Sequence, residues 1–400
     1  MAVEVKTEGQ LGFNPDLSPE QLMVRETVRE YAEERLMPTA RQRERDKVYP
    51  RKEFEELAQM GFAGMGIPEE YGGTPLDSVS QAIVVEEISR ADAAVGVVFC
   101  VHLGLVASVL IKYGTEEQKK KWLPKMASGE ILGAYSLSEP GSGSDAAALI
   151  CRAERQGDYY VLNGTKSWVT NGAIADLYLV FVRTDPDAPK KSRGISAIFV
   201  EKGTPGFEIG KIEDKMGMNA SDTAELIFKD CKVPAENLLG EENKGFYIAM
   251  QALDASRVTI AAQALGIAQG AFECAVKYLD QRVQFGKKLR EIQALQNYVT
   301  DMATRIEAAR LLVYRAAALK DKGVRYTKES AMAKLFASET AMYVSDKAVQ
   351  LLGGYGYTKE FPAERYFREA KLTEIYEGTS EILRIVVARN VFQEFGLLER

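Results

Sequence analysis

Apolar and polar positions change their period twice along this chain. From Ser18 the spacing is helical: Val24, Val28, Tyr31 and Ala32 share one face. Ser18-Pro19-Glu20-Gln21 precedes them as a start signal, with Pro at the first helical position and Gln placed for a capping box. The same reading predicts helices over 51–60, 78–90, 93–111 and 116–126. Between about 131 and 240 the runs shorten to "YYVLNGTKSWVTNG", "DLYLVFVRT", "GISAIFVEKGTPGF" and "TAELIFKD". These are β-branched and aromatic, broken by Gly, Asn and Pro, and predict strands joined by turns. From about 244 long helical periods return over 245–283, 292–322, 327–352 and 379–395, joined by short connections that suggest an antiparallel bundle. The pattern predicts a mainly α chain with a central β domain, divided as 1–130, 131–243 and 244–400.

Composition narrows the function classes. The 400 residues are 46% hydrophobic and 27% charged, with a net charge of −6 and no basic stripe, so nucleic-acid binding is not expected. Cys100, Cys151, Cys231 and Cys274 are far apart and form no CxxC pair, which points away from zinc and disulfides and toward a reducing compartment. His102 is the only histidine, in an apolar run where a core or pocket-wall role outweighs that of a general base. The stretch 93–111 carries no Asp, Glu, Lys or Arg and is long enough to span a membrane. Its glycines, serine and histidine, and the charged segment that follows, favour a helix buried in a globular domain, with no membrane span. Residues 1–16 show neither a signal peptide nor a transit peptide, so a cytoplasmic location is expected, or the mitochondrial matrix for a mature eukaryotic chain.

Six segments could carry chemistry, and each alone has an ordinary explanation. "YSLSEPGSGSD" over 135–145 offers glycines and hydroxyls around which backbone N–H groups can approach a polar ligand, or is a plain surface loop. Trp168-Val169-Thr170 reads as strand. Asp254 and Arg257 share a helix face as an ion pair. "RVQFGK" from Arg282 is good helix-stop chemistry. "QLLGGYGY" from Gln350 sets three glycines among aromatics, and "IYEGTSEI" places Glu377 between an aromatic residue and a glycine before a helix.

Together, in this order and spacing, "YSLSEPGSGSD", "NGTKSWVTNG", "RVQFGKKL", "QLLGGYGY" and "IYEGTSEI" resemble the acyl-CoA dehydrogenase family over essentially the whole chain. The resemblance implies an N-terminal helical domain, a middle β-barrel-like domain and a C-terminal four-helix bundle, assembled as a homotetramer. It implies FAD, an acyl-CoA substrate and electron-transferring flavoprotein as acceptor, without metal. By similarity, Tyr135, Leu137, Ser138, Gly143, Ser144, Trp168, Val169 and Thr170 contact FAD, as do Thr379, Ser380 and Glu381. A neighbouring subunit would contribute Arg282, Gln284, Phe285, Gln293, Gln350, Leu351, Leu352, Gly353 and Gly354. Ser144, Asp254, Arg257, Gly378 and Arg389 match positions at the CoA portion or the thioester, and Glu377 matches the catalytic base. Ser138 and Gln284 depart from the threonines common there, and Ala255 occupies an alternative base position that it cannot serve.

The chemistry explains the carboxylate. A C–H bond alpha to a thioester is weakly acidic, so its proton needs a positioned base whose pKa rises when water leaves. The uncharged, bulky stretch with Val98, Phe99, Val101, His102 and Leu103 disfavours dicarboxylic acyl groups and suits a short, branched or cyclic chain. The rival readings are an acyl-CoA oxidase on the same fold and a catalytically silent, flavin-free scaffold. Retention of Trp168, Thr170, Arg282 and Glu377 argues against the scaffold.

Overall fold

The computed structural model describes residues 17–398. The segment 1–16, on which the expectation about leader peptides rests, lies outside them.

Helix α1 (Pro19–Tyr31) starts on the expected capping box: Gln21 N–H donates to Ser18 Oγ at 3.2 Å, and Ser18 N–H to Gln21 Oε1 at 3.0 Å. It continues through a π turn, Ala32–Leu36, into α2 (Met37–Asp46). Helix α3 (Arg51–Gln59) leads to α4 (Ser78–Ala91), which is buried along its whole length. The uncharged stretch forms α5 (Ala93–Phe99), a π segment Cys100–Ala107, and α6 (Ser108–Tyr113). It is long and apolar enough to cross a membrane, but 89% of its most apolar window is buried against the rest of the protein. Helix α7 (Glu116–Ala127) closes this region with a second capping box, Thr115 and Gln118.

The β region is one eight-stranded sheet: β1 (Gly133–Ser136), β2 (Arg152–Gln156), β3 (Tyr159–Thr170), β4 (Leu177–Arg183), β5 (Ile195–Glu201), β6 (Phe207–Ile212), β7 (Thr223–Pro234) and β8 (Leu238–Leu239). Strand order is β6-β7-β3-β2-β4-β5-β8, with β1 lying parallel to β4. The β3–β7 pair breaks register between Lys166 and Val169, a bulge that matters below.

Helices α8 (Gly245–Gln281), α9 (Gln293–Asp321), α10 (Thr327–Leu352), α11 (Ala363–Thr373) and α12 (Ser380–Glu394) form the C-terminal bundle. The sequence pattern left α11 unread. It also ran α8 into Val283 as a helix stop, whereas the helix ends at Gln281 and a tight hairpin follows. Its strands are β9 (Val283–Gln284) and β10 (Lys287–Lys288). Phe285 and Gly286 both take positive φ there, 53° and 73°, the geometry a two-residue hairpin turn needs.

Buried α4 is fixed by charge as well as by apolar packing. Arg310 on α9 bonds Glu86 at 2.9 Å, Arg29 on α1 bonds Glu87 at 3.0 Å, and Arg90 reaches Glu273 on α8 at 2.9 Å. Close approach of α8 to α4 depends on two small residues one turn apart. A Cβ on Gly266 would stand 2.3 Å from the Glu86 carbonyl, and one on Gly270 2.5 Å from that of Arg90. Any side chain there would force the two helices apart.

Candidate active site

Glu377 lies in the turn between α11 and α12, in the left-handed region with φ 52°. Gly378 follows at φ 102°. Two successive residues of this kind reverse the chain, and for a glutamate the conformation is strained, as it often is where function fixes a side chain. The turn is held from several directions. Ser380 N–H donates to the Glu374 carbonyl at 3.0 Å, and Thr379 Oγ1 caps α12 by accepting from Ile382 N–H at 3.3 Å. From α10, buried Lys334 donates its ammonium to the Gly378 carbonyl at 2.8 Å. Tyr376, the residue before Glu377, donates its hydroxyl to Gln263 Oε1 on α8.

One carboxylate oxygen is set apart from water. The residue as a whole is half-buried, but Oε2 is fully buried with no hydrogen-bond partner among the described residues. Burial pushes its pKa up to about 7, against the opposing pull of the Ser256 hydroxyl and the Lys334 and Arg257 charges. The field is mutual: after burial, the Glu377 charge is the next cause raising the Tyr135 phenol and the Cys100 thiol. β1, the π segment, α8, α10 and the α11–α12 turn therefore converge on one carboxylate.

Arg257 is buried, donates to Asp254 at 2.6 Å and keeps a buried Nε with no partner among the described residues. Asp254 also accepts from Thr327 on α10 at 2.7 Å, so the pair sits between two helices and is more than a surface ion pair. His102 is a core residue: Nε2–H donates to the Ala63 carbonyl at 3.2 Å, and Nδ1 accepts from Gly133 N–H at 3.3 Å. Burial lowers its pKa to about 4, so the ring is neutral at physiological pH.

A second set of features surrounds the loop after β1. Trp168 occupies the β3 bulge with φ 62° and presents an indole 61% exposed, while Val169 beside it is buried and Thr170 half-buried. Val169 can therefore offer only backbone outward. Gly143 and Ser144 are exposed at the loop crest, and a Cβ on Gly143 would meet nothing within 4 Å. Beneath the crest, buried Lys166 donates to the Leu137 carbonyl at 3.0 Å and pairs with Glu139 at 2.9 Å. Glu139 in turn accepts from the N–H groups of Ile150 and Cys151 at 2.7 and 2.9 Å. Ser136 Oγ on β1 and Ser380 Oγ on α12 are buried without partners among the described residues.

A third set is separate within the chain. Arg282, Gln284 and the segment Gln350 to Gly354 line a concavity of about 510 Å³ with Tyr278 and Tyr355, and neither Trp168 nor Glu377 lines it. The Arg282 guanidinium lies 5.7 Å from the Tyr355 ring centre. Phe285 projects from the hairpin 94% exposed. Leu351 and Leu352 turn their side chains into the core, Gln293 is exposed at the start of α9, and Arg389 is exposed on the body of α12. Reading the sequence missed Ser256, Gln263 and Lys334; a polar residue inside an otherwise apolar helical face was the available signal.

Three family models match in order: the acyl-CoA dehydrogenase N-terminal domain at 18–130, middle domain at 134–231 and C-terminal domain at 243–392. The chain belongs to the acyl-CoA dehydrogenase family. It is an oxidoreductase with that family's fold, and the family is FAD-dependent. It is 48% identical to the acryloyl-CoA reductase (NADH) of Anaerotignum propionicum, over 98% of this chain and 99% of that protein. The short-chain specific acyl-CoA dehydrogenase of Clostridium acetobutylicum is also 48% identical, over 96% of this chain and 100% of its own. A chain from the structure titled as the electron transferring flavoprotein of Acidaminococcus fermentans superposes with a TM-score of 0.93 at 50% identity. That match covers 95% of this chain and 100% of the other.

Proposed function

We propose that Glu377 removes the α proton of a short-chain acyl-CoA thioester as its β hydrogen departs with two electrons, leaving an α,β-unsaturated thioester. The observation that carries this reading is the dry, partnerless Glu377 Oε2 on a strained and braced turn, with a pKa near neutrality. A base of that strength is about half ionised near pH 7 and still holds a proton well. Gly378 leaves backbone room beside the carboxylate, and the Glu377 N–H would donate to the thioester oxygen as charge develops there. Arg257 Nε, buried and unpartnered, supplies a donor for the same ligand or for the carboxylate. The remaining CoA assignments, Ser144, Asp254 and Arg389, belong to this reading, with Asp254 acting through Arg257.

The residues fit a flavin. An exposed indole in a bulge, an open glycine loop and the orphaned Ser136 and Ser380 hydroxyls offer a stacking face, backbone donors and hydroxyl partners. Tyr135, Leu137, Ser138, Gly143, Ser144, Trp168, Val169, Thr170, Thr379, Ser380 and Glu381 would hold one end of FAD. The separate Arg282 concavity would serve the cofactor of a neighbouring copy in a homotetramer, where an Arg fork suits a pyrophosphate. The chemistry FAD supplies when bound is acceptance of the β hydride. We assign the domains as 1–130, 131–243 and 244–400, and the acceptor as electron-transferring flavoprotein, in cytoplasm or matrix.

A short acyl chain is favoured by the tie beside the base. Fully buried Gln263 donates to the Ala93 carbonyl at 2.9 Å and accepts from Tyr376, so a longer chain would have to break that bridge. The test of the whole reading is Glu377→Gln. The variant is expected to keep its yellow colour and its affinity for butyryl-CoA while losing dehydrogenation by at least about a hundredfold. Near-normal turnover would overturn it.

A further inference from the structure

We propose that Lys334 is the positioning residue of the base: its buried ammonium ties down the Glu377–Gly378 turn and keeps the neighbouring carboxylate ionised. The inference rests on the assignment of Glu377 as the base, and it adds a residue that never touches substrate.

The geometry comes first. A lysine in the middle of α10 with no exposed surface is unusual, because an ammonium out of water is costly unless something holds it. Here its ammonium donates at 2.8 Å to the carbonyl of Gly378, the residue immediately after the base. That carbonyl belongs to the second of two successive residues with positive φ, Glu377 at 52° and Gly378 at 102°, so the bond holds the end of a turn that strains the glutamate. Without it, the turn would be held at this point only by contacts of α12 and of Tyr376, on either side of the carboxylate.

Charge comes second. Glu377 feels two cations, Lys334 from α10 and Arg257 from α8, with the Ser256 hydroxyl as a further partner. Arg257 is already committed to Asp254, whereas Lys334 has no carboxylate of the described residues in hydrogen-bond contact. Around Lys334 itself stand Glu377, Arg257, Glu374 and Glu381, of which Glu377 is the largest favourable influence. Cys100, Tyr135 and Tyr376 face the base from the other elements and carry no charge at neutral pH, since burial raises all three. Lys334 is therefore the cation free to set the base. Burial lowers its own pKa to about 8, so it is mostly charged near pH 7, the midpoint of the Glu377 titration.

The sign follows. An opposite charge favours the ionised carboxylate, so removing it raises the pH at which Glu377 loses its proton. In Lys334→Met the acid limb of flavin reduction by butyryl-CoA is expected to move up by roughly one pH unit or more. Near pH 7 that is about a fivefold loss, largely recovered at about pH 9, with butyryl-CoA affinity little changed. Lys334→Arg keeps the charge and should keep the wild-type limb even where its rate falls. Lys334→Gln loses the charge but retains an amide donor for Gly378, and carries the test if the methionine variant yields too little folded protein.

A direct readout avoids turnover. The C=O stretch of the protonated Glu377 carboxyl, assigned by its loss in Glu377→Gln, is followed by infrared difference spectroscopy across pH. It should titrate higher in Lys334→Met and Lys334→Gln than in the wild type. An unmoved titration in both neutral variants overturns the role of Lys334 whatever their activity. Continued dehydrogenation by Glu377→Gln would instead overturn the base assignment, a separate outcome.

Discussion

With Glu377 proposed as the base, the pH dependence of proton abstraction follows from one carboxyl group. Burial carries Glu377 from its ordinary 4.5 to about 7, and the difference corresponds to roughly 3 kcal/mol of added proton affinity. If Glu377 must be ionised to act, the rate follows its ionised fraction: about one half at pH 7, one tenth at pH 6 and one hundredth at pH 5. An ordinary glutamate would give an almost flat rate over the same range. The assay is anaerobic stopped-flow reduction of the bound flavin at low butyryl-CoA concentration, which reports the free enzyme. Stability moves in the opposite sense. The folded carboxyl holds its proton more tightly than the unfolded one, so this group's contribution is fully present below 4.5 and is lost as pH rises through 7. Glu377→Gln should remove that dependence and melt higher than wild type at about pH 8. A rate that stays flat from about pH 5.5 to 8, or that inflects at the ordinary carboxylate value, would refute the argument that burial sets the strength of this base.

Other consequences can be checked separately. Trp168→Ala should weaken FAD retention at least tenfold while changing the melting of the flavin-free protein by no more than about 0.5 kcal/mol, because the indole is 61% exposed; isothermal titration with FAD measures the first. Lys166→Met leaves Glu139 buried without its cation and should cost about 3–5 kcal/mol in thermal unfolding, with part recovered by adding Glu139→Gln. Gln263→Ala removes the tie between Ala93 and Tyr376 and should raise kcat/KM for hexanoyl-CoA relative to butyryl-CoA by about tenfold or more. A ratio that does not change would show that another feature sets chain length.

The sequence alone determined the order helices, strands, bundle, because periodicity and capping are local. Ser18 to Gln21 form the expected box, and 327–352 is a helix to the residue. It also singled out Glu377, through motifs that keep their spacing along the chain. Local pattern did not reveal the π segment Cys100–Ala107, α11, or the hairpin at Val283, where a helix stop and a turn use the same residue types. Nor did it show which charges are buried. Glu86, Lys166 and Lys334 look in sequence like solvated positions, and their partners stand far away along the chain: Arg310 for the first, Leu137 and Glu139 for the second, Gly378 for the third. Only the tertiary structure decides such cases, because whether an ionisable group is costly, harmless or a working base depends on how much water the surrounding elements leave around it.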